Sequence, residues 1–273
     1  MNKSSSGRPV PPKPLYLRWK MWLVLAAVVL IYAWAFSGMP FDGIKKTAGQ
    51  ITRAIVKGLF NPEWDYVYLA EGEDLLRGLW ETLAIALLGT SISVFLTVPF
   101  ALWAARNLVK TRWFSGASTF TLSLIRTLPD IIVAIIFIKA VGPGAFAGVL
   151  TIGIHSIGML GKLNAEAIED LDMGPSEALK ACGANRLQTI WFAIVPQAMP
   201  AYLSFALFRL EINVRSAAVL GMVGAGGIGT PLLFALEGRT WSRVGIILLG
   251  IIALVTLIDW ISGNLRRRLV QGQ

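Results

Sequence analysis

Apolar residues gather into six long runs, at about 21–38, 79–105, 117–139, 144–161, 198–222 and 244–263, and most charged residues fall between them. A helix needs about 20 mainly apolar residues to cross a bilayer. The runs therefore predict an all-α integral membrane protein with about six transmembrane helices. A shorter periodicity lies between the first two runs. In "GIKKTAGQITRAIVKGLF", residues 43–60, Ile44, Ile51, Ile55 and Leu59 recur at near-helical spacing against basic residues. This stretch is either an amphipathic helix lying on the membrane surface or a helix packed on the external end of the bundle. Between the fourth and fifth runs a polar segment covers 162–197. Gly174-Pro175 breaks it, Ser176 is placed to cap a helix that starts at Glu177, and Gly183 is placed to end that helix. Leu187, Ile190, Trp191 and Ile194 offer an apolar stripe to a second short helix. Two short helices joined at a Gly-Ala hinge read as a docking element or as a connector folded back on the bundle.

Composition agrees with the membrane reading. Hydrophobic residues make up 55% of the 273-residue chain and charged ones 15%, against roughly 25% charge in soluble domains. The net charge of +9 would suggest a nucleic-acid partner in a soluble protein, but its distribution points elsewhere. Lys3, Arg8, Lys13, Arg18 and Lys20 precede the first run, Arg106, Lys110 and Arg112 follow the second, and Arg266, Arg267 and Arg268 follow the sixth. With six crossings all three groups share one face, which the positive-inside rule makes cytoplasmic, together with both termini. The 39–78 segment balances five basic residues with six acidic ones and falls outside. The basic excess is thus a topology signal, and no nucleic-acid role follows from it. The organisation expected is a cytoplasmic tail (1–20), a first transmembrane helix (21–38), an external loop with its amphipathic helix (39–78), a core (79–263) and a basic cytoplasmic tail (264–273). The first run is read as a retained helix, although its basic flank and Ala33-Trp34-Ala35 also fit a cleavable signal. The other crossings keep their orientation either way.

Candidate chemistry is sparse. Cys182 is the single cysteine and His155 the single histidine, so no intrachain disulfide or cysteine metal cluster can form, and His155 reads as a helix-packing hydrogen bonder. Glu81, Arg126, Asp130, Arg209, Glu211, Arg215 and Asp259 lie inside spanning runs, where each needs a partner or a wet cavity. Arg126 and Asp130 are four apart, as are Glu211 and Arg215, so each pair is placed either to neutralise itself or to serve a pathway. Arg209 has no carboxylate at such spacing and is the better candidate for an anion contact, or it snorkels to an interface. Pro129 should kink the third run beside Arg126 and Asp130. Gly224, Gly226 and Gly229 match the G-x-G-x-x-G of a dinucleotide turn, but no acidic residue follows at the required distance and no βαβ unit fits. Together with Gly227 these glycines are expected to form a tight external turn that meets a symmetry mate. No P-loop occurs anywhere, so the chain cannot cradle ATP itself.

The segment "EALKACGANRLQTIWFAIVP" resembles the cytoplasmic signature of ABC-importer permeases: E-A-A, three residues, Gly, nine residues, I-x-L-P. Glu177, Ala178, Gly183 and Pro196 are in register, Leu179 replaces the third Ala, and Ala193 and Val195 stand for Ile and Leu. "ETLAIALLGTSISVFLTVPFALWAARN", "FAGVLTIGIHSIGMLGKLNAEAIED" and "NVRSAAVLGMVGAGGIG" are similar to the phosphonate-type branch, over about residues 80 to 229. The resemblance implies a type I ABC-importer permease fold in a bacterial inner membrane. It implies a second permease copy, two ATP-binding subunits that carry ATP and Mg, and an extracytoplasmic substrate-binding protein, with no cofactor in this chain. It makes the segment at about 165–197 a coupling helix, with Glu177, Ala178, Gly183, Ala184, Ile194 and Pro196 facing the ATPase. The pathway and gate would draw on Arg126, Asp130, Arg209, Arg215, Gly224, Gly226, Gly227 and Gly229. Phosphonate, phosphite or phosphate fits arginine forks and backbone N–H groups, and methionine or another small organic solute is the alternative cargo. A lipid-modifying enzyme lacks its catalytic cluster here, and a passive channel gives no reason for the E-A-A helix.

Overall fold

The computed structural model describes residues 15–38, 48–69, 74–109 and 111–271. The tail through residue 14, Ile44 and Lys110 lie outside them. The chain divides into two compact units, residues 1–53 and 54–273. The first contains α1 (Leu15–Ser37), apolar around its whole circumference, with every described side chain from Trp19 on exposed. A helix apolar on all sides suits a lipid surround. α2 (Ala48–Phe60) straddles the boundary. Its last turn packs within the second unit: a Cβ on Gly58 would lie 2.2 Å from Trp241 Cβ, and Gly245 meets the backbone of Gly58 and Leu59. Of the two readings of this amphipathic stretch, these contacts support packing on the bundle.

The second unit continues with α3 (Leu75–Ala104), α4 (Arg112–Thr127), α5 (Asp130–Val141), α6 (Ala145–Glu169), α7 (Gly174–Ala181), α8 (Arg186–Thr189), α9 (Val195–Gly221), α10 (Gly229–Glu237) and α11 (Trp241–Gln271). Asp74 starts α3 by accepting a hydrogen bond from the Arg77 amide at 2.7 Å. Its carboxylate holds the start of the first long helix of this unit. The helical ends outrun the apolar runs. α6 continues eight residues past the predicted limit, and α11 carries Arg266–Arg268 as helix rather than as a separate tail. Once an apolar stretch is helical, flanking Lys, Arg and Glu extend it at little cost.

α3 and α6 run parallel. Ile85 lies against Gly148, Gly89 against Ile152, and Asn107 Nδ2 donates to the Ile168 carbonyl at 2.7 Å, so contacts advance together along both helices. Small residues allow the close approach: a Cβ on Gly89 would sit 2.7 Å from Ile152 Cγ2. The parallel course settles the third run. α4 and α5 meet at an 88° bend, which length and apolarity alone would also allow as a re-entrant loop. α3 ends beside the end of α6, where the Arg106 amide donates to Glu169 Oε1 at 2.8 Å, whereas α6 begins at the start of α3, where Ala145 and Glu81 both approach Gly226. The chain between them must traverse the bundle once. α4 and α5 are one broken crossing. α9 returns antiparallel and α11 follows α3. The face carrying Leu75, Val141, Gly221 and Trp241 is called upper below, and the face carrying Ala104 and Glu169–Ile194 lower.

Candidate functional site

The break between α4 and α5 has a local cause. Pro129 has no N–H to continue the helix and pushes Leu128 out of the helical region, where it has φ −76° and ψ 127°. A kinked single helix was expected; the bend instead separates two helices. Asp130, first residue of α5, has Oδ1 3.2 Å from His155 Nε2 and accepts from Ser216 Oγ at 3.3 Å. Pro129, Asp130, Ile131, Arg215, Ser216, Val219 and Leu220 line an open groove of about 360 Å³ here. Arg215 Nη2 reaches both carboxylate oxygens of Asp259, at 3.0 and 2.9 Å, and the two side chains remain 51% and 41% exposed.

Neither predicted i, i+4 pair forms. The bend points Arg126 and Asp130 along different helices, and Arg126 is exposed with no carboxylate in ion-pair reach among the described residues. Glu211 and Arg215 instead take partners from α11: Asp259 for Arg215, and Arg266 at 3.7 Å for Glu211. Both face that helix, so partners across the interface serve them better than one along their own.

Arg209 does not snorkel. It is 5% exposed, and its guanidinium donates from Nε to Ser156 Oγ at 2.9 Å and from Nη1 to Met159 Sδ at 3.3 Å. Its Nη2 lies 3.0 Å from His155 Nδ1. Arginine offers only donors, so Nδ1 must accept, and the imidazole proton sits on Nε2, toward Asp130. Asn213 completes the seam by donating to Thr90 Oγ1 at 2.8 Å and Ser156 Oγ at 3.1 Å. The role read for His155 as a packing hydrogen bonder is what the structure shows. Sequence reasoning missed Thr90, Ser156, Asn213 and Ser216. Arg209, Asn213 and Ser216 stand at i, i+4 and i+7, so one polar stripe on α9 was there to be read.

At the upper face the glycine turn packs tightly against its own chain. Gly226 and Gly227 have φ of +81° and +78°. A Cβ on Gly226 would fall 2.6 Å from the Ala145 amide nitrogen, and one on Gly227 2.6 Å from Thr82 Oγ1. Thr82 Oγ1 accepts the Ile228 N–H at 2.8 Å, and Gly144 donates to the Gly224 carbonyl at 2.9 Å. Gly229 opens α10 against the Ala218 carbonyl. The close approaches that require glycine are to α3, α6 and α9 of the same chain.

At the lower face α7 and α8 occupy the expected segment. α7 starts at Gly174, with its amide held by Asp172 Oδ1 at 2.9 Å; Ser176, expected as the cap, lies inside the first turn and is buried. Gly183 ends the helix as predicted: φ is +84°, its amide donates to Lys180 O, and the Ala184 amide donates to Leu179 O, each at 3.0 Å. This is a Schellman closure. Apart from its chain neighbours, no described residue stands within 4 Å of a Cβ on Gly183, and Glu177, Ala178 and Gly183 are exposed. Asn185 and Gln188 form a capping box at α8. A π turn, Ile190–Ile194, then leads directly into α9, where Pro196 cannot donate to Phe192. Of the predicted apolar stripe, Ile194 is buried against Ala101, Ala105 and Ile168, whereas Leu187 and Trp191 are 70% and 65% exposed.

A helical bundle with apolar spans, an ionic groove at a broken crossing and an exposed helical hairpin on one face defines a multi-pass membrane permease. Residues 97–271 match the family described as binding-protein-dependent transport system inner membrane component. The chain is 44% identical over 192 residues to the phosphite transport system permease protein of Stutzerimonas stutzeri, covering 70% of each. It is 35% identical over 232 residues to the phosphate-import permease protein of Mycolicibacterium smegmatis, covering 84% of this chain and 41% of that one. A chain of a methionine ABC transporter, solved in inward-facing conformations, has the same fold with a TM-score of 0.65 at 23% identity, covering 71% of this chain and 95% of its own. The chain belongs to the family of binding-protein-dependent transport system inner membrane components. It has the type I ABC-importer permease fold and is a transport subunit, not an enzyme. In sequence the phosphite and phosphate permeases are nearer to it than the methionine permease.

Proposed function

We propose that the chain forms the membrane pathway of an ATP-driven importer for phosphite, a phosphonate or phosphate. Two identical copies face one another across the α4–α5 break. ATP-hydrolysing subunits carrying ATP and Mg dock on α7 and α8, and a binding protein delivers the anion to the upper face. The lower face is cytoplasmic, in keeping with the basic residues at 106–112 and 266–268.

The observation that carries this reading is the ionic groove. Arg215 and Asp259 are about half exposed within spanning helices, and Arg126 is exposed beside the break with no ion-pair partner among the described residues. Lipid does not solvate such groups, so this face borders water or a second protein copy. A tetrahedral oxyanion takes hydrogen bonds from guanidinium forks, and Arg126 is the fork left free to give them. Asp130, held by His155 and Ser216, lines the same groove. Arg209 supports the groove from behind, through His155. Glu177, Ala178, Gly183, Ala184, Ile194 and Pro196 form and brace the ATPase contact. The glycine turn of Gly224, Gly226, Gly227 and Gly229 closes the upper end of each copy. Uptake of radiolabelled phosphite into vesicles holding the full complex tests the assignment. Phosphite, methylphosphonate and phosphate should compete and methionine should not; competition by methionine alone would reject it.

A further inference from the structure

At the lower face a second groove, of about 830 Å³, opens between the α3–α4 connection and the α7–α8 hairpin. Leu102 and Trp103 from the last turn of α3, Phe114 from the first turn of α4, and Leu187 and Ile190 supply its apolar wall. Trp103, Phe114 and Leu187 are 55%, 69% and 70% exposed. Lys180 and Arg186 stand on its rim with Ser176, Thr189 and Thr111, and no carboxylate lines it among the described residues. Neither cation has an ion-pair partner among the described residues; Arg186 donates only to the Leu108 carbonyl, at 2.7 Å. Because α3 ends and α4 begins at its wall, the groove lies where spanning helices leave the hydrocarbon. Trp113 and Trp191, 87% and 65% exposed nearby, suit the same interfacial level.

We infer that this groove is a binding site for one anionic phospholipid of the cytoplasmic leaflet, its phosphate between Lys180 and Arg186 and an acyl chain along Leu102, Trp103, Phe114 and Leu187. Two unneutralised cations above an apolar wall at headgroup depth complement a lipid that is anionic at one end and apolar at the other. A soluble anion would leave the wall uncovered, and a zwitterionic lipid would leave the charge unmatched. The bound lipid ties the start of α4, which leads to the substrate break, to the helical hairpin on which the ATPase acts. The site rests on the lower face being cytoplasmic.

Native mass spectrometry of the full complex, after exchange into mixed phosphatidylglycerol and phosphatidylcholine, reads the site directly. The wild-type protein should retain phosphatidylglycerol preferentially. Lys180→Gln, whose side chain has no hydrogen bond or ion pair among the described residues, should lose about fivefold of that preference, and Lys180→Gln with Arg186→Gln about fivefold more. No preference in the wild type, or one that both variants keep, overturns the site. Preferential retention by the permease alone that vanishes when the ATPase is added also overturns it, since the groove is then an ATPase contact. Labelling of exposed Cys182 by an impermeant maleimide separates the two failures. Labelling from the outside refutes the orientation, whereas labelling from the inside without lipid preference refutes the lipid site alone.

Discussion

Arg126 and Arg209 both lie level with residues 155–159 of α6, yet their surroundings treat the two charges oppositely. The Arg126 backbone passes Gly158, where a Cβ would be 2.9 Å from its amide nitrogen, and its side chain points away to an open face. The guanidinium of Arg209 is packed between His155, Ser156 and Met159. Sequence spacing marked Arg209 as the freer of the two because it lacks a neighbouring carboxylate, while Arg126 has Asp130 four residues on. The fold reverses that ranking. Pro129 takes Asp130 away from Arg126, and α5 delivers it to His155 and thus, at one remove, to Arg209. A buried cation without a direct counter-ion reads as structural, and an exposed one within a spanning helix reads as functional.

The contrast makes Arg209→Met the most damaging change. It strips donors from Ser156 and His155 and leaves the Asp130–His155 contact without its neighbouring positive charge. A loss of about 3 kcal/mol or more is expected, seen as poor accumulation in the membrane and a depressed Tm of any complex recovered. Near-normal accumulation would dissolve the distinction between the two arginines. Next comes the glycine turn. Gly227→Val drives a branched side chain into Thr82, the acceptor of the Ile228 amide, and should destabilise by about 2–3 kcal/mol, read again as Tm. Gly183→Ala shares the positive φ but has open space around it, so only the left-handed penalty of about 1–2 kcal/mol applies, falling on one exposed hairpin. Its signature should be weakened coupling, measured as lower substrate-stimulated ATP hydrolysis with the assembled bundle intact. The smallest effect is expected for the half-exposed Arg215–Asp259 pair. A double-mutant cycle with Arg215→Met and Asp259→Leu should return a coupling of about 1 kcal/mol or less in thermal stability. A much larger value would make this pair part of the scaffold, like Arg209.

Much of this architecture was readable in the chain. Apolar runs located the crossings, and the spacing from Glu177 through Gly183 to Pro196 located the lower hairpin and the helix end at Gly183. Other features needed three dimensions. Pro129 in "RTLPDII" marks an interruption, but nothing local to it tells a kink from the 88° break that the fold adopts. Thr90, Ser156 and Asn213 are neutral and brief interruptions of apolar runs, and only the hydrogen bonds that link Thr90 through Asn213 and Ser156 to Arg209 give them a role. The partners of Glu211 and Arg215 lie 44 or more residues away on α11, beyond any local pattern. The tight turn at the end of the fifth run was legible, but the surfaces that demand glycine there, Thr82 and Ala145, come from distant segments.

The central claim is that the anion passes the open side of the α4–α5 break and meets Arg126. The most direct test is the rate at which a water-soluble, negatively charged thiosulfonate modifies the cysteine of Arg126→Cys, in a Cys182→Ser background of the complete transporter. The account predicts ready modification that slows when phosphite and the binding protein are supplied together, with Tm close to that of the parent. A cysteine that stays unmodified, or one whose rate ignores the substrate while Arg126→Met transports normally, would contradict it.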